Sequence, residues 1–471
     1  MHSRRDQVQA HTFLTGRLVS ALLAGEPDLA VTPMRRTPVG LIIGLVLAAL
    51  ALGGLVVLAI LVPGGATGWR KPGTLVVEKQ TGNRFVLLDG RLRPVLNYAS
   101  ARLLLGSKLT VDSVPASSLA GVPRGGAVGI VGAPDSLPDP KQSGTQPWLV
   151  CATSTVDAAG TVRPALAVRI GAEADARPLT DRQAALVSTA DGTKYLAWRD
   201  RRMRLSAPWV ERALGLDGDA AVPVRDAWIN ALPAGPDLGS PSMPGRGTAG
   251  PPLDGRPSRV GQVFVVHGTG VPARFYQLAI GGLVPTTATA AALALGDPAA
   301  AVAYGDQPPL AGELSPAALG SAAMLPAPGW QAQLPPSPPT LAPAAGQVPC
   351  AQVTPGGDAT VSLLTAPAGA VEGSTVDGPA LDRDARVADQ VAVRPGGGLL
   401  ARTQPAPGLP GAGLYLVTED GAKYPVASAG AADSLGVPVS SAVGVPADLL
   451  ALLPTGPVLD RIGNGGGGAV S

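Results

Sequence analysis

The sequence contains few of the residues that usually carry chemistry. Its 471 residues include 3 histidines and 2 cysteines, and aromatic residues make up 3%. The formal net charge is +2, which excludes the strong positive field typical of nucleic-acid-binding proteins. No P-loop, G-x-S-x-G, S-x-x-K or H-E-x-x-H motif occurs, and His267 is the only histidine beyond position 11. We therefore predict no cofactor, no metal, no catalytic residue and no nucleic-acid partner.

One glycine motif resembles a nucleotide-binding fingerprint when it is taken alone. A strand-like run, VFVVHGTGVPA, contains Gly268-x-Gly270-x-x-Ala273. No acidic residue follows about twenty positions later, where a ribose ligand would be expected. The motif also occupies the turn of a predicted repeat, so we interpret it as a hairpin and not as a binding site.

The sequence does contain one long apolar run, from Val39 to Val62, bracketed by Pro38 and Pro63. As a helix it would extend about 36 Å, enough to cross a bilayer core of about 30 Å. It is longer than a signal-peptide core and begins later, so we predict a retained membrane anchor. Within it Gly40, Gly44 and Ala48 form a row that would permit close helix packing. Because glycine is common in membrane helices, composition alone also explains this row, and we prefer that explanation.

The flanks of this helix bear on its orientation. Five arginines precede it, and three basic residues follow it closely: Arg4, Arg5, Arg17, Arg35 and Arg36, then Arg70, Lys71 and Lys79. The flanks are thus nearly balanced, and long domains cross the membrane largely regardless of charge. Both cysteines, Cys151 and Cys350, follow the helix, where a pair suggests an extracytoplasmic disulfide more than two unrelated thiols. We predict that residues 1–38 are cytoplasmic and that 64–471 lie outside.

The N-terminal segment has the pattern of one amphipathic helix. Ser3 with Asp6 resembles a capping box, and Gly25 with Pro27 would end the helix. One face contains four apolar residues: Leu14, Leu18, Ala21 and Leu22. A lone helix of this length is marginal in water, so we expect it to dock on a partner or on the membrane surface. The alternative is a frayed basic tail that only fixes topology.

The region after the membrane helix contains four internal repeats. Each combines an apolar strand, a tight turn, a second strand, a helical stretch and a Leu/Val-Pro-x-Gly closure. The predicted turns are Asp89-Gly90, Asp191-Gly192, His267-Gly268 and Asp420-Gly421. The predicted closures are Val122–Gly125, Leu232–Gly235, Leu325–Gly329 and Leu453–Gly456. The third copy is the most divergent.

A Cys-Ala hairpin follows the first repeat and another follows the third, which indicates a tandem duplication. The half from Phe85 to Gly235 would match that from Gln262 to Gly456. Two such hairpins meeting about a pseudo-twofold axis would bring Cys151 and Cys350 together in a disulfide. We predict an α+β fold of four small repeats around a central β-rich domain. Its segments are 63–125 (linker and repeat 1), 126–185 and 330–395 (central domain), 186–235 (repeat 2), 236–259 (Pro/Gly-rich linker), 260–329 (repeat 3), 396–460 (repeat 4) and 461–471 (disordered tail).

The N-terminal run RRDQVQAHTFLTGRLVSALLAGEPD, followed by PMRR, closely resembles the start of EccB proteins. EccB is a core membrane component of the actinobacterial type VII (ESX) secretion apparatus. The resemblance extends to the single anchor, the GNRFVLLDG-type first repeat, the Cys-Ala strands and the L-P-x-G closures. It implies four repeats around a central domain with one disulfide, similar to the architecture indicated by the repeats.

The resemblance also implies a function. EccB proteins assemble with EccC, EccD, EccE and other EccB copies in the inner membrane, and the EccC ATPase would supply the energy for export. We therefore expect a single-pass, non-catalytic structural subunit in contact with membrane lipid. One alternative is an ATP-hydrolysing component, because some members are described as ATPases, although no phosphate-binding motif is present here. The other is a cell-wall-binding protein whose repeats contact peptidoglycan.

Overall fold

The computed structural model describes residues 4–24, 36–61, 67–139, 146–171, 174–216, 220–342 and 345–463. The residues Ser3, Gly25, Pro27 and Val62, and positions 464–471 of the predicted tail, lie outside these ranges. The chain divides into two compact units. The smaller comprises Met1–Lys71, Val77–Asn83 and Asp112–Val122, and the larger comprises Pro72–Val76, Arg84–Val111 and Pro123–Ser471.

The N-terminal helix α1 spans Arg4–Ala24. Leu14 and Leu18 share one face, as predicted, and their side chains are exposed. His11 lies three residues before Leu14 and falls on the same face, because residues three or four apart are neighbours on a helix. Phe13, which is also exposed, falls on a different face. The apolar and polar side chains are therefore poorly separated. The prediction of an amphipathic helix was wrong in that respect, although the helix itself is present.

The apolar run forms helix α2, Arg36–Leu61, 26 residues long. Its segment Val39–Val57 is long and apolar enough to cross a membrane. The helix begins three residues before the predicted start at Val39. Pro38 does not prevent this, because the backbone N–H that proline lacks is unpaired in the first turn of any helix.

The first half of the domain contains β1 to β11 and α3 to α5. In chain order these are β1 Thr74–Glu78, β2 Arg84–Leu88, β3 Arg91–Pro94, α3 Tyr98–Leu105, β4 Thr110–Val114, β5 Trp148–Val156, β6 Val162–Ile170, β7 Arg177–Pro178, β8 Gln183–Ser188, β9 Lys194–Trp198, β10 Arg201–Arg204, α4 Trp209–Leu214, β11 Val222–Pro223 and α5 Asp226–Asn230. The half thus begins with β1, before the predicted start at Phe85.

The second half repeats this order with additions. Its elements are β12 Val263–Gly268, β13 Val271–Ala279, β14 Gly282–Thr286, α6 Ala288–Gly296, α7 Ala301–Tyr304, β15 Gly312–Glu313, α8 Pro316–Ser321, β16 Thr340–Leu341, β17 Gln347–Thr354, β18 Thr360–Pro367, β19 Gln390–Val393, β20 Leu399–Gln404, β21 Leu414–Val417, β22 Lys423–Pro425, α9 Ala429–Leu435, β23 Val443–Pro446 and α10 Ala447–Leu450.

Every repeat contains a three-stranded meander, then a helix and a fourth strand beside the first strand. The orders are β3-β2-β1-β4, β10-β9-β8-β11, β14-β13-β12-β15 and β22-β21-β20-β23. In repeats 2, 3 and 4 the fourth strand is parallel to the first. A helical crossover between parallel strands explains why one helix follows each meander.

The predicted turns do not occupy equivalent positions in this meander. Asp89-Gly90 and Asp420-Gly421 connect its second and third strands, whereas Asp191-Gly192 and the turn after His267 connect its first and second. The prediction of two strands per repeat was therefore wrong by two strands, one in the meander and the fourth strand beside the first. Asp-Gly favours a tight turn in either hairpin, so the dipeptide cannot tell which hairpin it closes.

The two cysteine hairpins join in one six-stranded sheet with the order β19-β6-β5-β17-β18-β7. Its four inner strands are antiparallel and are related by the predicted pseudo-twofold axis between β5 and β17. The outer strands break the symmetry, because β19 is parallel to β6 whereas β7 is antiparallel to β18. The largest core cluster spans this sheet and residues of repeats 2 and 4.

The repeats pair through their helices. Helix α3 of repeat 1 contacts α9 of repeat 4, and α4 of repeat 2 contacts α6 of repeat 3. Ala99 and Leu103 share a core with Leu435, while Leu214 shares one with Leu293. The pseudo-twofold axis exchanges these two pairs, so the duplication accounts for both interfaces.

Replacing Gly296 by Ala is expected to lower the free energy of unfolding by about 1–3 kcal/mol, as overpacking does. A Cβ there would overlap Cβ of Ala213 and lie 3.2 Å from its Cα, at the contact between α4 and α6. Gly320→Ala in α8 is the matched control, since no atom lies within 4 Å of its would-be Cβ. Urea unfolding should show the control unchanged or slightly stabilised. Equal effects of the two variants would contradict the helix pairing.

The predicted linker 236–259 is folded and contains a hairpin. The backbone N–H of Gly250 donates to the carbonyl of Ser258, and Gly247 and Val260 are paired in the same ladder. The tip is Asp254-Gly255, with φ of 49° and 71°, a turn that the Pro/Gly-rich composition concealed. The carboxylate of Asp254 accepts hydrogen bonds from the backbone and hydroxyl of Ser315 in repeat 3. This segment therefore belongs to repeat 3.

Candidate functional site

The cysteines lie opposite one another at the centre of the molecule. Cys151 of β5 and Cys350 of β17 are register partners, both fully buried, and they form a disulfide. Leu149, Leu364 and Val371 pack around them. The arrangement fixes the two halves of the duplication to each other and leaves no thiol for chemistry.

The closures form a short fifth strand on each repeat. In repeat 1 the N–H of Leu92 donates to the carbonyl of Pro123 at 2.8 Å, and that of Gly125 donates back at 3.0 Å. In repeats 2 and 4 the backbone of Arg202 and of Lys423 makes the same two bonds, to the proline carbonyl and the glycine N–H of the closure. Glycine is needed at the end of these three closures because the third strand carries a long side chain there. A Cβ at Gly456, for example, would overlap the Tyr424 ring.

Repeat 3 uses different residues for its closure. Leu283 accepts the backbone N–H of Leu325 and donates to the carbonyl of Ala323, so Ala323–Leu325 occupies the Pro-x-Gly position. The closure of repeat 3 therefore lies before the predicted Leu325–Gly329 in the chain. Val284 stands where Tyr424 stands in repeat 4, and its shorter side chain removes the need for glycine.

A buried lysine holds the repeat 4 closure. Lys423 is 8% exposed, and its Nζ donates to the carbonyls of Leu450 at 2.8 Å and Leu453 at 2.5 Å. Burial lowers the pKa of Lys423 to about 8, although the carboxylates of Asp384 and Asp382 favour its charged form. Sequence reasoning missed Lys423. The Asp-Gly-x-Lys-Tyr shared with repeat 2 does not identify it, because Lys194 begins the second strand of its meander whereas Lys423 begins the third.

The free energy of unfolding should rise by about 2 kcal/mol between pH 8 and 9.5 because of Lys423. The unfolded lysine keeps its proton until about pH 10.4, so it binds more protons than the folded one in this window. The charged groups facing it are Asp382, Asp384 and Arg386. We expect Lys423→Met to flatten the pH dependence in urea unfolding and the exposed Lys108→Met to leave it unchanged. An unaltered slope in Lys423→Met would refute this assignment.

Tyr424, adjacent to Lys423, faces the neighbouring turn. Its hydroxyl donates to Asp420 Oδ2 at 2.7 Å, and the other carboxylate oxygen accepts the hydroxyl of Thr418 and the N–H of Ala422. Burial raises the pKa of Tyr424 far above its usual range, and the charge of Asp420 adds to this. Asp191 forms the same kind of turn with Thr189 and Thr193 in repeat 2. These carboxylates organise turns.

The tryptophans serve the core. Trp148, Trp198 and Trp228 are at most 2% exposed, and Trp209 and Trp330 are partly buried against a core cluster. The Nε1–H of Trp228 donates to the carbonyl of Val150 at 3.1 Å, which ties α5 of repeat 2 to the central sheet. These side chains offer no exposed aromatic platform for a carbohydrate.

The metal-ligating residue types and the glycine motif can be placed among the described residues. No group of three or more His, Cys, Asp and Glu side chains that could hold a metal ion is found among them. Gly268 and Gly270 lie in the hairpin between β12 and β13, and the exposed His267 precedes them. Around Gly40 and Gly44 no other described atom lies within 4 Å of a would-be Cβ. A packing role for Gly40, Gly44 and Ala48 stays a prediction.

Comparison with known proteins assigns this architecture to a family. Residues 1–463 match the family described as type VII secretion system ESX-1, transport TM domain B. The chain belongs to the EccB family. It is 31% identical over 479 residues to the ESX-3 secretion system ATPase EccB3 of Mycolicibacterium smegmatis, covering 97% of this chain and 89% of that protein. It is 32% identical over 296 residues to the ESX-1 secretion system ATPase EccB1 of Mycobacterium tuberculosis, covering 61% of this chain and 60% of that protein.

Solved EccB structures share this fold. A chain of an intact ESX-5 inner membrane complex matches with a TM-score of 0.63 and 26% identity, covering 98% of this EccB chain and 94% of that one. A chain of the ESX-5 periplasmic assembly matches with a TM-score of 0.65 and 27% identity over 85% and 97% of the two chains. An EccB3 dimer from the ESX-3 core complex matches with a TM-score of 0.63 and 26% identity over 82% and 98%. The predicted family and α+β fold are thus confirmed.

Proposed function

We propose that this EccB chain is a non-catalytic structural subunit of a type VII secretion complex in the inner membrane. The observation that carries the proposal is the similarity over 98% of the chain to a subunit of an intact ESX-5 inner membrane complex. Within it, α1 would contact EccC, EccD and EccE, and the large domain would contact other EccB copies. The rigid, disulfide-linked pairing of four repeats suits a scaffold.

The proposed orientation places α1 in the cytoplasm and the large domain outside. Because the two native cysteines are joined, single cysteines can be introduced against a silent background. We expect a membrane-impermeant maleimide to label Gly320→Cys in intact spheroplasts, and Ala10→Cys only after permeabilisation. Both positions are exposed. Labelling of Ala10→Cys alone in intact cells would reverse the topology.

ATP hydrolysis is the alternative, since two relatives carry ATPase in their names. The sequence offers no P-loop to cradle phosphates, so we expect the purified protein to hydrolyse no ATP above the same preparation from cells lacking the gene. Activity that follows the protein through size-exclusion chromatography would overturn the non-catalytic assignment. A peptidoglycan pelleting assay with the same preparation tests cell-wall binding, for which we expect no enrichment.

A further inference from the structure

The closure of repeat 4 is covered on both sides by backbone partners. On its inner side it pairs with Lys423, as described above. On its outer side the N–H of Thr455 donates to the carbonyl of Asp382 at 2.9 Å, and the N–H of Asp382 donates back at 2.8 Å. Asp382 therefore adds one antiparallel bridge to repeat 4, and a turn at residues 385–387 then brings Ala388 to the same closure.

This covering segment, residues 382–389, is held at both ends. The N–H of Ala388 donates to the carbonyl of Leu452 at 2.8 Å, and that of Asp389 donates to the carbonyl of Leu166 at 2.9 Å. Arg225 clamps its end, with Nη1 bonding the Asp389 carboxylate at 2.7 Å. The side chains of Val387 and Ala388 are buried, at 5% and 0% exposure, whereas the three residues before them, 384–386, are exposed. A small aliphatic pair thus fills the site.

Repeat 2 presents the same surface without a cover. The pseudo-twofold axis relates its closure, Leu232–Gly235, to that of repeat 4, so Ala234 corresponds to Thr455 and Ala231 to Leu452. Ala234 is exposed. Among the described residues, nothing pairs with its outward N–H and carbonyl or with the carbonyl of Ala231. This edge is open to another strand.

A groove of about 460 Å³ lies beside this edge. Its walls come from the repeat 2 closure, from β18 and from α10, including Ala231, Ala234, Val361, Pro446 and Ala447. These elements are the symmetry counterparts of the repeat 4 closure, β6 and α5, which surround segment 382–389. The groove therefore occupies the position that the segment fills in the other half.

The difference between the two halves has a simple origin in the chain. After β18, residues 368–398 form a long connection that supplies segment 382–389 and β19 before repeat 4 begins. After β6, the much shorter stretch 171–182 leads into repeat 2, and its strand β7 pairs with β18 instead. Among the described residues of the first half, no segment covers Ala234.

We propose that this groove binds a peptide segment from a different subunit of the secretion complex. The backbone of the segment bridges to Ala234 as Asp382 does to Thr455, and the segment places a small aliphatic pair, like Val387-Ala388, in the groove. In each copy of this chain segment 382–389 already pairs with Thr455, so a second copy does not offer it. Only the source of the segment rests on the proposed function, because the groove belongs to the isolated chain.

The probe for the groove is a fluorescent synthetic peptide with the sequence ALDRDARVADQ, residues 380–390 of this chain. We expect it to bind the purified full-length protein in detergent and to bind at least ten-fold more weakly to Ala234→Pro. Proline removes the outward N–H but keeps the inner bonds of Pro233 and Gly235 to Arg202. The matched control Ala234→Ser retains the N–H and should bind like the natural chain.

A second peptide, in which Asp replaces both Val387 and Ala388, should not bind. Absence of binding by the first peptide, or equal binding to Ala234→Pro and Ala234→Ser, would overturn the groove assignment. A far-ultraviolet circular dichroism melt of Ala234→Pro establishes that it is folded. Peptide binding does not depend on assembly of the complex. A failure of this experiment is therefore distinguishable from a failure of the proposed function.

The source is tested in the purified complex with Ala447→p-benzoylphenylalanine, a photocrosslinker on the groove wall. We expect an adduct between this chain and a different subunit, and mass spectrometry should identify a crosslinked peptide that contains a pair of small aliphatic residues. The Ala234→Pro variant in the same background should lose the adduct. An adduct between two copies of this chain would overturn the assignment to a different subunit.

Discussion

Reducing the Cys151–Cys350 disulfide is expected to lower the free energy of unfolding of the large domain by about 5 kcal/mol. The two cysteines are 199 residues apart in the sequence, so the bond restricts much of the unfolded chain. It also joins β5 to β17, the central contact between the two halves, which pair further through β6 with β19 and β7 with β18. Urea unfolding followed by tryptophan fluorescence, with and without reductant, measures the difference.

The reduced natural chain is the sharpest comparison, because it keeps both sulfur atoms in the core and removes only the bond. The double variant Cys151→Ala, Cys350→Ala should lose slightly more, since small cavities replace the sulfurs. The fully buried position explains why reduction should require partial unfolding first. A loss below about 1 kcal/mol on reduction would mean that the bond does not hold the halves together.

Trp228→Ala is expected to destabilise the domain by about 3–5 kcal/mol, as large-to-small core substitutions do. The side chain is 0% exposed and lies in the largest core cluster, where it links repeat 2 to the central sheet. Its removal also leaves the carbonyl of Val150 without its indole partner. Chemical unfolding monitored by circular dichroism gives the loss.

Trp228→Phe separates packing from hydrogen bonding. It keeps an aromatic ring in the core, so we expect a smaller loss of about 1–3 kcal/mol from the missing donor and the volume change. Exposed Val271 provides a surface control, and Val271→Ala should change stability by less than about 0.5 kcal/mol. If the alanine and phenylalanine variants at Trp228 were equally stable, packing would not explain the role of this residue.

The features that the sequence predicted correctly are those written in local patterns or in repetition. The membrane helix follows from one uninterrupted apolar run, because apolar length alone sets what can span a bilayer. The pairing of Cys151 with Cys350 followed from duplication, since symmetry places equivalent hairpins about one axis. The N-terminal motif identified the family.

The features that the sequence did not reveal depend on contacts between residues far apart in the chain. The turns Thr81-Gly82 and Arg199-Asp200 lack the Asp-Gly dipeptide, although Gly82 and Arg199 both have positive φ, so one meander strand was overlooked in each of repeats 1 and 2. The hairpin between Gly247 and Val260 was taken for a linker because its composition is dominated by glycine and proline. Helix pairing between distant repeats has no local signal at all.

The candidate sites were hidden for the same reason. Lys423 looks like an ordinary surface lysine until α10 and the closure bring their carbonyls to its amine. The open edge at Ala234 is visible only when the two halves are superposed in three dimensions. Sequence alone therefore identified the family and the architecture but not the surfaces on which this EccB chain would act.

We propose above that this chain is a structural subunit of a type VII secretion complex, and its assembly in membranes tests this directly. We would solubilise membranes in mild detergent from cells that carry a C-terminal tag, and measure the tagged species by native mass analysis and proteomics. The account predicts a large assembly that contains further copies of this chain together with EccC, EccD and EccE. A lone monomer, under conditions that preserve the contact between EccC and EccD, would contradict it.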